Sequence, residues 1–275
     1  MDQIGLIAGN GRFPIIFARE AKLHGVRVTA VGHKGETVPE LERDVDSLTW
    51  IRVGQLGKMI AVFRRAGIRR AVMVGGLDKV RSLRSLRPDW RGWRFLARGV
   101  SMGDDGLLRA LARELETEGI EVVPSTLFLD RLFAPAGRIA GPRPDSAVLS
   151  DITLGCKVLD TIGALDIGQC VIVEKGVVLA VEAVEGSDAA IVRGGKLGGG
   201  TAVVVKAAKG EQDLRFDVPA VGPSTLDTML EAGVRTLALQ AGSTIILDAE
   251  EFRARAERYG IGVVGCSLDG EVEDD

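Results

Sequence analysis

The sequence predicts an α/β protein in two parts, a parallel sheet with helices on both faces followed by a mixed α/β region. Three observations lead there. Short apolar runs alternate with helix-period segments through the first half. Residues 134–146 hold three prolines and two glycines and no hydrophobic period. Beyond them, β-rich runs follow one another at closer spacing. A length of 275 residues suits two domains. The expected division is 1–133, a hinge at 134–146 that the prolines keep semi-rigid, and 147–275, with a cleft between the two domains.

In order, Ile4 to Ala8 is an apolar run short enough for a buried strand, and Gly9-Asn10-Gly11 turns the chain. Pro14 suits the start of a helix that runs to His24. Val26 to Val31 is a second strand, Met59 to Ala66 a helix and Ala71 to Val74 a third strand. An amphipathic helix, Leu107 to Glu118, and a strand, Ile120 to Val123, complete the first half. In the second half Ala147 to Ala164 reads as a helix. Gln169 to Val173 and Val177 to Ala183 read as a hairpin about Glu174-Lys175-Gly176. Strands follow at Thr201 to Lys206, Thr236 to Leu239 and Thr244 to Leu247, then a helix, Glu250 to Tyr259, and a strand, Gly262 to Gly265. Arg193 to Gly200, with five glycines, reads as a mobile loop, and Asp269 to Asp275, with five acids, as a solvated end.

Composition excludes several classes. Hydrophobic residues at 46% and charged residues at 27% argue against long disorder. Lys and Arg number 35 against 38 Asp and Glu, a near balance that disfavours nucleic acid as a partner. Three scattered cysteines and two histidines argue against a disulfide framework, a zinc site or a Ser-His-Asp triad. No basic leader and no apolar run near the ~20 residues of a membrane span are visible, so a cytoplasmic place is expected.

Gly9-Asn10-Gly11, between a strand and a helix, could offer backbone N–H groups to a phosphate. The dinucleotide fingerprint wants a further glycine where Pro14 stands. It also wants an acid at the end of the second strand, where Val31-Gly32-His33-Lys34 has none. Gly54-Gln55-Leu56-Gly57-Lys58 lacks the spacing of a phosphate-binding loop, which leaves Lys58 as at most a phosphate contact. Asp104 and Asp105 either cap the helix after them or face a ligand. The densest polar set is Asp166 and Gln169, then Glu182, Glu185 and Asp188, then Lys206 and the run Gln212 to Pro219, which includes Arg215 and Asp217. A charge such as Glu182 within an otherwise apolar strand is costly unless paired or bound to a cation. Carboxylates with Lys206 and Arg215 have the ingredients of Mg²⁺-assisted phosphate chemistry, or of surface ion pairs. Arg64 to Arg98 carries a net +9 and leaves −12 to the rest. Arg87, Arg91, Arg94 and Arg98 recur at helical spacing among Trp90, Trp93 and Phe95. Such a helix suits anionic lipid, or packs its aromatics on the core, with RNA binding as a third reading.

Taken together, Leu6-Ile7-Ala8-Gly9-Asn10-Gly11-Arg12-Phe13-Pro14, Gly103-Asp104-Asp105, Leu165 to Gln169, Val181 to Asp188 and Lys206 to Thr225 resemble, in order, the motifs of the LpxI-type UDP-2,3-diacylglucosamine pyrophosphatase family. Ser187 stands where the family pattern has Thr and keeps the hydroxyl. The resemblance implies a Rossmann-like N-terminal domain, a catalytic C-terminal α/β domain and a homodimer. It also implies a Mg²⁺ enzyme (or Mn²⁺) of lipid A synthesis. Its substrate would be the UDP-linked diacylated glucosamine, with water attacking the α-phosphorus to release UMP and 2,3-diacylglucosamine 1-phosphate. Asp217 matches the family's essential aspartate, as metal ligand or base. Joined to the reading of the residues, this gives Asp217, Lys206, Arg215 and Gln169 catalysis, and Asp217, Glu182, Glu185 and Asp188 the metal. Gly9, Asn10, Gly11, Asp104, Gln212 and Thr225 would meet substrate. Peripheral contact with anionic inner-membrane lipids fits a diacyl substrate. A nucleotide-sugar oxidoreductase on the first domain and a non-catalytic nucleotide-sugar or lipid binder are the competing readings. NADH binding would favour the first, and absence of UMP release the second.

Overall fold

The computed structural model describes residues 3–76, 86–99, 104–165, 167–208, 215 and 218–273. They form two compact units. The first runs to Asp130 and takes in Arg215, and the second holds the other described residues from Arg131 on.

The first unit contains β1 (Gln3–Ala8), α1 (Phe13–Leu23), β2 (Arg27–His33), β3 (Ser47–Ile51), α2 (Leu56–Arg65), β4 (Arg70–Val74), α3 (Trp90–Gly99), α4 (Asp104–Glu116) and β5 (Glu121–Val122). Its sheet has the order β3-β2-β1-β4-β5, and every pairing is parallel. Central strands of such a sheet are covered on both faces, which explains their unbroken apolar runs. Ile7, Val31 and Met73 pack with Met59, Ile60 and Phe63 of α2 and with Ala112 and Leu115 of α4. Helix α1 packs on β1, β2 and β4 and buries Phe17 completely. The strand order turns between β2-β1 and β4, so the carboxyl ends of β1 and β4 form the switch point where ligands of open α/β sheets bind.

The second unit contains β6 (Gly137–Ala140), α5 (Ser146–Ala164), β7 (Cys170–Glu174), β8 (Val177–Val181), α6 (Ser187–Leu197), β9 (Val203–Lys206), β10 (Ala220–Val221), α7 (Pro223–Ala232), β11 (Thr236–Gln240), β12 (Ile245–Ile246), α8 (Ala249–Tyr259) and β13 (Gly262–Cys266). A mixed sheet of order β6-β13-β11-β9-β7-β8 has parallel pairs at its centre and antiparallel pairs at both flanks. Strand alternation divides the core. Val171, Val173, Val203 and Val205 meet Ile152, Cys156 and Leu159 of α5. Cys170, Ile172 and Val204 meet Ala190 and Ile191 of α6, Leu226 and Met229 of α7, and Phe252 of α8.

Two expectations are corrected. The segment 134–146, expected to lack regular structure as a semi-rigid hinge, contains β6, which pairs antiparallel with β13. Its prolines flank an edge strand, where a missing N–H is tolerated. Arg193 to Gly200 is not a mobile loop. Its first residues belong to α6, and the buried Glu174 carboxylate accepts from Gly199 N–H at 2.6 Å and from Thr201 N–H and Oγ1 at 2.8 and 2.7 Å.

Candidate functional site

In the second unit, three adjacent strands bring the expected site residues to one end of the sheet. Cys170 opens β7, and Lys206 closes β9 as its register partner. On the other side Glu182, just past β8, donates its N–H to Cys170 O at 2.9 Å. Glu182 and Lys206 are both buried. Helix α6 begins over this row, and Lys206 Nζ donates to Ser187 Oγ at 3.0 Å. Asp188 is in the first turn of α6, where a carboxylate is favoured by the helix dipole. Cys170 reports the company it keeps. Burial pushes its thiol up to about 12, the charge of Lys206 pulls it down, and Glu182 and Asp188 push it up again.

Glu182 Oε2 also accepts from Gln169 N–H at 3.3 Å, and Gln169 Oε1 is buried with no hydrogen-bond partner. Glu185 is differently placed. Its carboxylate is held below the usual range by backbone N–H groups first and then by Arg193, whose guanidinium lies 2.5 Å away. Thr225 serves the start of α7, with its hydroxyl accepting from Gly222 N–H at 3.3 Å. Arg215 lies 3.6 Å from Glu116 of α4 and belongs to the first unit. Asp166, Gln212 and Asp217 lie outside the described residues, as does the side chain of Asp104, the residue that opens α4.

In the first unit, Gly9 N–H donates to Val74 O at 2.8 Å and Asn10 N–H to Gly76 O at 2.7 Å. A Cβ on Gly9 would stand 2.3 Å from Gly76 O, and Gly11 has φ +76°. The loop at the switch point is therefore built by glycines on both sides, and no side chain caps α1. At the end of β2, His33 Nδ1 lies 2.9 Å from Ala8 O, which also accepts from Thr37 Oγ1 at 2.7 Å. Burial lowers the His33 pKa, so a neutral imidazole occupies the place of a ribose-binding acid. Lys58 Nζ donates to Trp50 O at 3.1 Å, a structural use.

Sequence reading missed Gly75-Gly76, although a glycine pair directly after an apolar strand is the signal already used at Gly9. It also missed the link from Ser187 to Lys206, which no spacing announces.

Mg²⁺ and Mn²⁺ take oxygen donors. The carboxylates of Glu182 and Asp188 and the orphaned Gln169 Oε1 are of that kind. Among the described residues no three acids, histidines or cysteines form a complete cage. Glu185 could join only by giving up Arg193.

Family models of the LpxI N-terminal domain and the LpxI C-terminal domain match residues 3–132 and 135–264. The UDP-2,3-diacylglucosamine pyrophosphatase LpxI of Caulobacter vibrioides is 31% identical over 276 residues, covering 96% of this chain and 98% of its own. The biotin carboxylase domain of a thermophilic 2-oxoglutarate carboxylase aligns at 12% identity and TM-score 0.28, over 62% of this chain and 35% of that one. The biotin carboxylase subunit of pyruvate carboxylase aligns at 11% and 0.26, also over 62% and 35%. The chain spans about a third of those two structures, and a likeness that weak carries no argument.

Proposed function

Because the chain belongs to the LpxI family, matched by family models along both halves, we propose that it hydrolyses the pyrophosphate of UDP-2,3-diacylglucosamine. The products are UMP and 2,3-diacylglucosamine 1-phosphate, with water attacking the α-phosphorus, in lipid A synthesis. A homodimer, a cytoplasmic place and peripheral contact with anionic inner-membrane lipids belong to the same reading. No helix among the described residues is long and apolar enough to cross a membrane.

The observation that carries the proposal is the buried Lys206, bonded to Ser187 Oγ and one strand from Cys170, which feels Glu182 and Asp188. A buried ammonium beside acids is costly in a purely structural role and useful where an anion arrives. Lys206 takes a phosphate oxygen, with Ser187 fixing the direction of its Nζ. Arg215 neutralises a second oxygen through its forked N–H groups. Asp217 would hold the metal or take the proton of the attacking water. Gln169 Oε1 accepts from that water. Glu182 and Asp188, with Asp217, would hold Mg²⁺ or Mn²⁺, which supplies charge neutralisation at the pyrophosphate when bound. The backbone at Gly9, Asn10 and Gly11, with Asp104 and Gln212, meets the substrate. Thr225 acts by fixing the start of α7.

The test is UMP release from the diacyl UDP-sugar with Mg²⁺. Asp217→Asn and Lys206→Met are each expected to lower kcat on the order of 10²-fold or more. Wild-type turnover in Lys206→Met would remove the site from the reaction. Turnover in ¹⁸O-water is expected to place the label in UMP, and label in the sugar phosphate would overturn attack at the α-phosphorus.

A further inference from the structure

Helix α3 turns an unusual face outward. Trp90, Trp93, Arg94 and Ala97 are exposed at the spacing of one helical stripe, and Arg87, three residues ahead of the helix, is exposed as well. Trp90 is 79% and Trp93 60% exposed. The opposite stripe is fixed to the unit. Gly92 is buried so close to Gly54 O that a Cβ would stand 1.9 Å away, and Phe95 packs on the core. Arg91 pairs with Glu114 at 3.0 Å and with Glu118. Asp89 accepts from Gly92 N–H at 2.8 Å and from Lys58 N–H at 3.0 Å. The tryptophans are thus held out by the scaffold.

Two indole rings in water forfeit hydrophobic free energy unless something covers them. Tryptophan with arginine is the composition of the bilayer interface, where the ring sits at headgroup level and the cation meets phosphate. Charge selects the same partner. The helix lies in a stretch of net +9 within a chain of net −3. A second copy docking the same face would bring like charge to it.

We infer that the stripe Arg87, Trp90, Trp93, Arg94 docks this protein on an anionic bilayer surface, with both indoles entering the headgroup region. This deepens the membrane part of the proposed function by naming the surface, and its test is separate from hydrolysis. Full-length protein is mixed with vesicles of phosphatidylglycerol and phosphatidylcholine, and with phosphatidylcholine alone. Co-sedimentation is expected with the anionic vesicles only, weakening as salt is raised. Emission should shift to the blue and be quenched by lipids brominated near the headgroup. Trp90→Ala with Trp93→Ala should weaken binding roughly tenfold and abolish the quenching. Arg87→Glu with Arg94→Glu should weaken it by at least as much. Both pairs should release UMP from detergent-dispersed substrate at the wild-type rate, so loss of hydrolysis by the wild type would sink the enzymic reading alone. The docking inference is overturned if wild-type protein ignores anionic vesicles, or if the arginine and tryptophan pairs bind like wild type. It is also overturned if the substitutions instead abolish a dimer in sedimentation velocity or binding to RNA.

Discussion

Glu174 is a small case of how this chain uses a buried carboxylate. Its two oxygens gather Gly199 N–H, Thr201 N–H and Thr201 Oγ1, and so stitch the glycine-rich stretch after α6 to the end of β7. The Gly199 N–H contributes most to holding its pKa below the ordinary 4.5, and the Thr201 hydroxyl comes next. The sign follows from linkage. A carboxyl whose folded pKa is depressed adds stability above the unfolded pKa and loses it as pH falls through the folded one. Glu174→Gln is expected to cost about 1–3 kcal/mol at pH 7, because charge-assisted bonds to backbone donors are lost. The gap from wild type should shrink as pH falls below about 4. Urea denaturation at the two pH values checks it, and a gap independent of pH would mean the charge is not what holds the loop. Lys206 differs in kind. Its bond to Ser187 Oγ engages one donor of an ammonium that has three.

Elements show what patterning can and cannot reveal. β1, β2 and β4 were legible because a strand buried on both faces is a bare apolar run. β3 was not, since Ser-Leu-Thr-Trp-Ile lies at the sheet edge, mostly half-buried. Helix α6 was hidden by its own glycines. Gly194 and Gly195 suggest mobility, yet a Cβ on Gly194 would stand 2.7 Å from Ile172 Cβ, and one on Gly195 2.2 Å from Ala232 O. They are contact surfaces for β7 and α7, and one sequence without its tertiary partners cannot tell the two uses apart. The charged site residues could be picked out as cations and acids ending apolar strands. Their alignment across β8, β7 and β9 depended on antiparallel register, which periodicity does not give. Helix α3 offers a test at this scale. Gly92→Ala should push α3 off Gly54 and cost about 1–3 kcal/mol by overpacking. Hydrogen exchange in residues 90–97 should speed up, while β7 and β9 keep wild-type protection. Unchanged exchange in α3 would mean that its seat on α2 can shift without loss.

At the scale of the whole chain, each unit has a core of its own, one around Phe63 and Leu115 and one divided by the second sheet. The proline-rich stretch marked the change of architecture, but the compact units divide between Asp130 and Arg131, ahead of it. The second unit closes on its own C-terminal segment. Val272 bridges Cys266, Ser267 N–H donates to Glu271 O at 2.8 Å, and Gly270 lies against Thr153 of α5 so tightly that a Cβ would stand 2.5 Å from Thr153 Cα. Beneath this strap, Cys156 of α5 and Cys266 of β13 lie Sγ to Sγ at 3.8 Å, both buried. The Sγ–Sγ contact lowers the Cys156 pKa, while the same contact and burial raise that of Cys266. With diamide, one thiolate of the pair adds to the azo nitrogen. The other thiol then displaces the hydrazine from that sulfur, so the two thiol hydrogens end on nitrogen and one disulfide forms. The link would close a loop of 110 residues joining the two ends of the unit. Restricting the unfolded chain in this way stabilises by up to about 4–5 kcal/mol, less any strain. Intact mass after diamide should fall by about 2 Da, and the unfolding temperature should rise by several degrees. Cys156→Ser should remove both effects, whereas Cys170→Ser should leave them in place, because Cys170 lies at the far side of β7 among the residues that meet α6 and α7. An unchanged mass in native protein, with oxidation only after the strap is cut away at Ser267, would show that the segment bars the reagent.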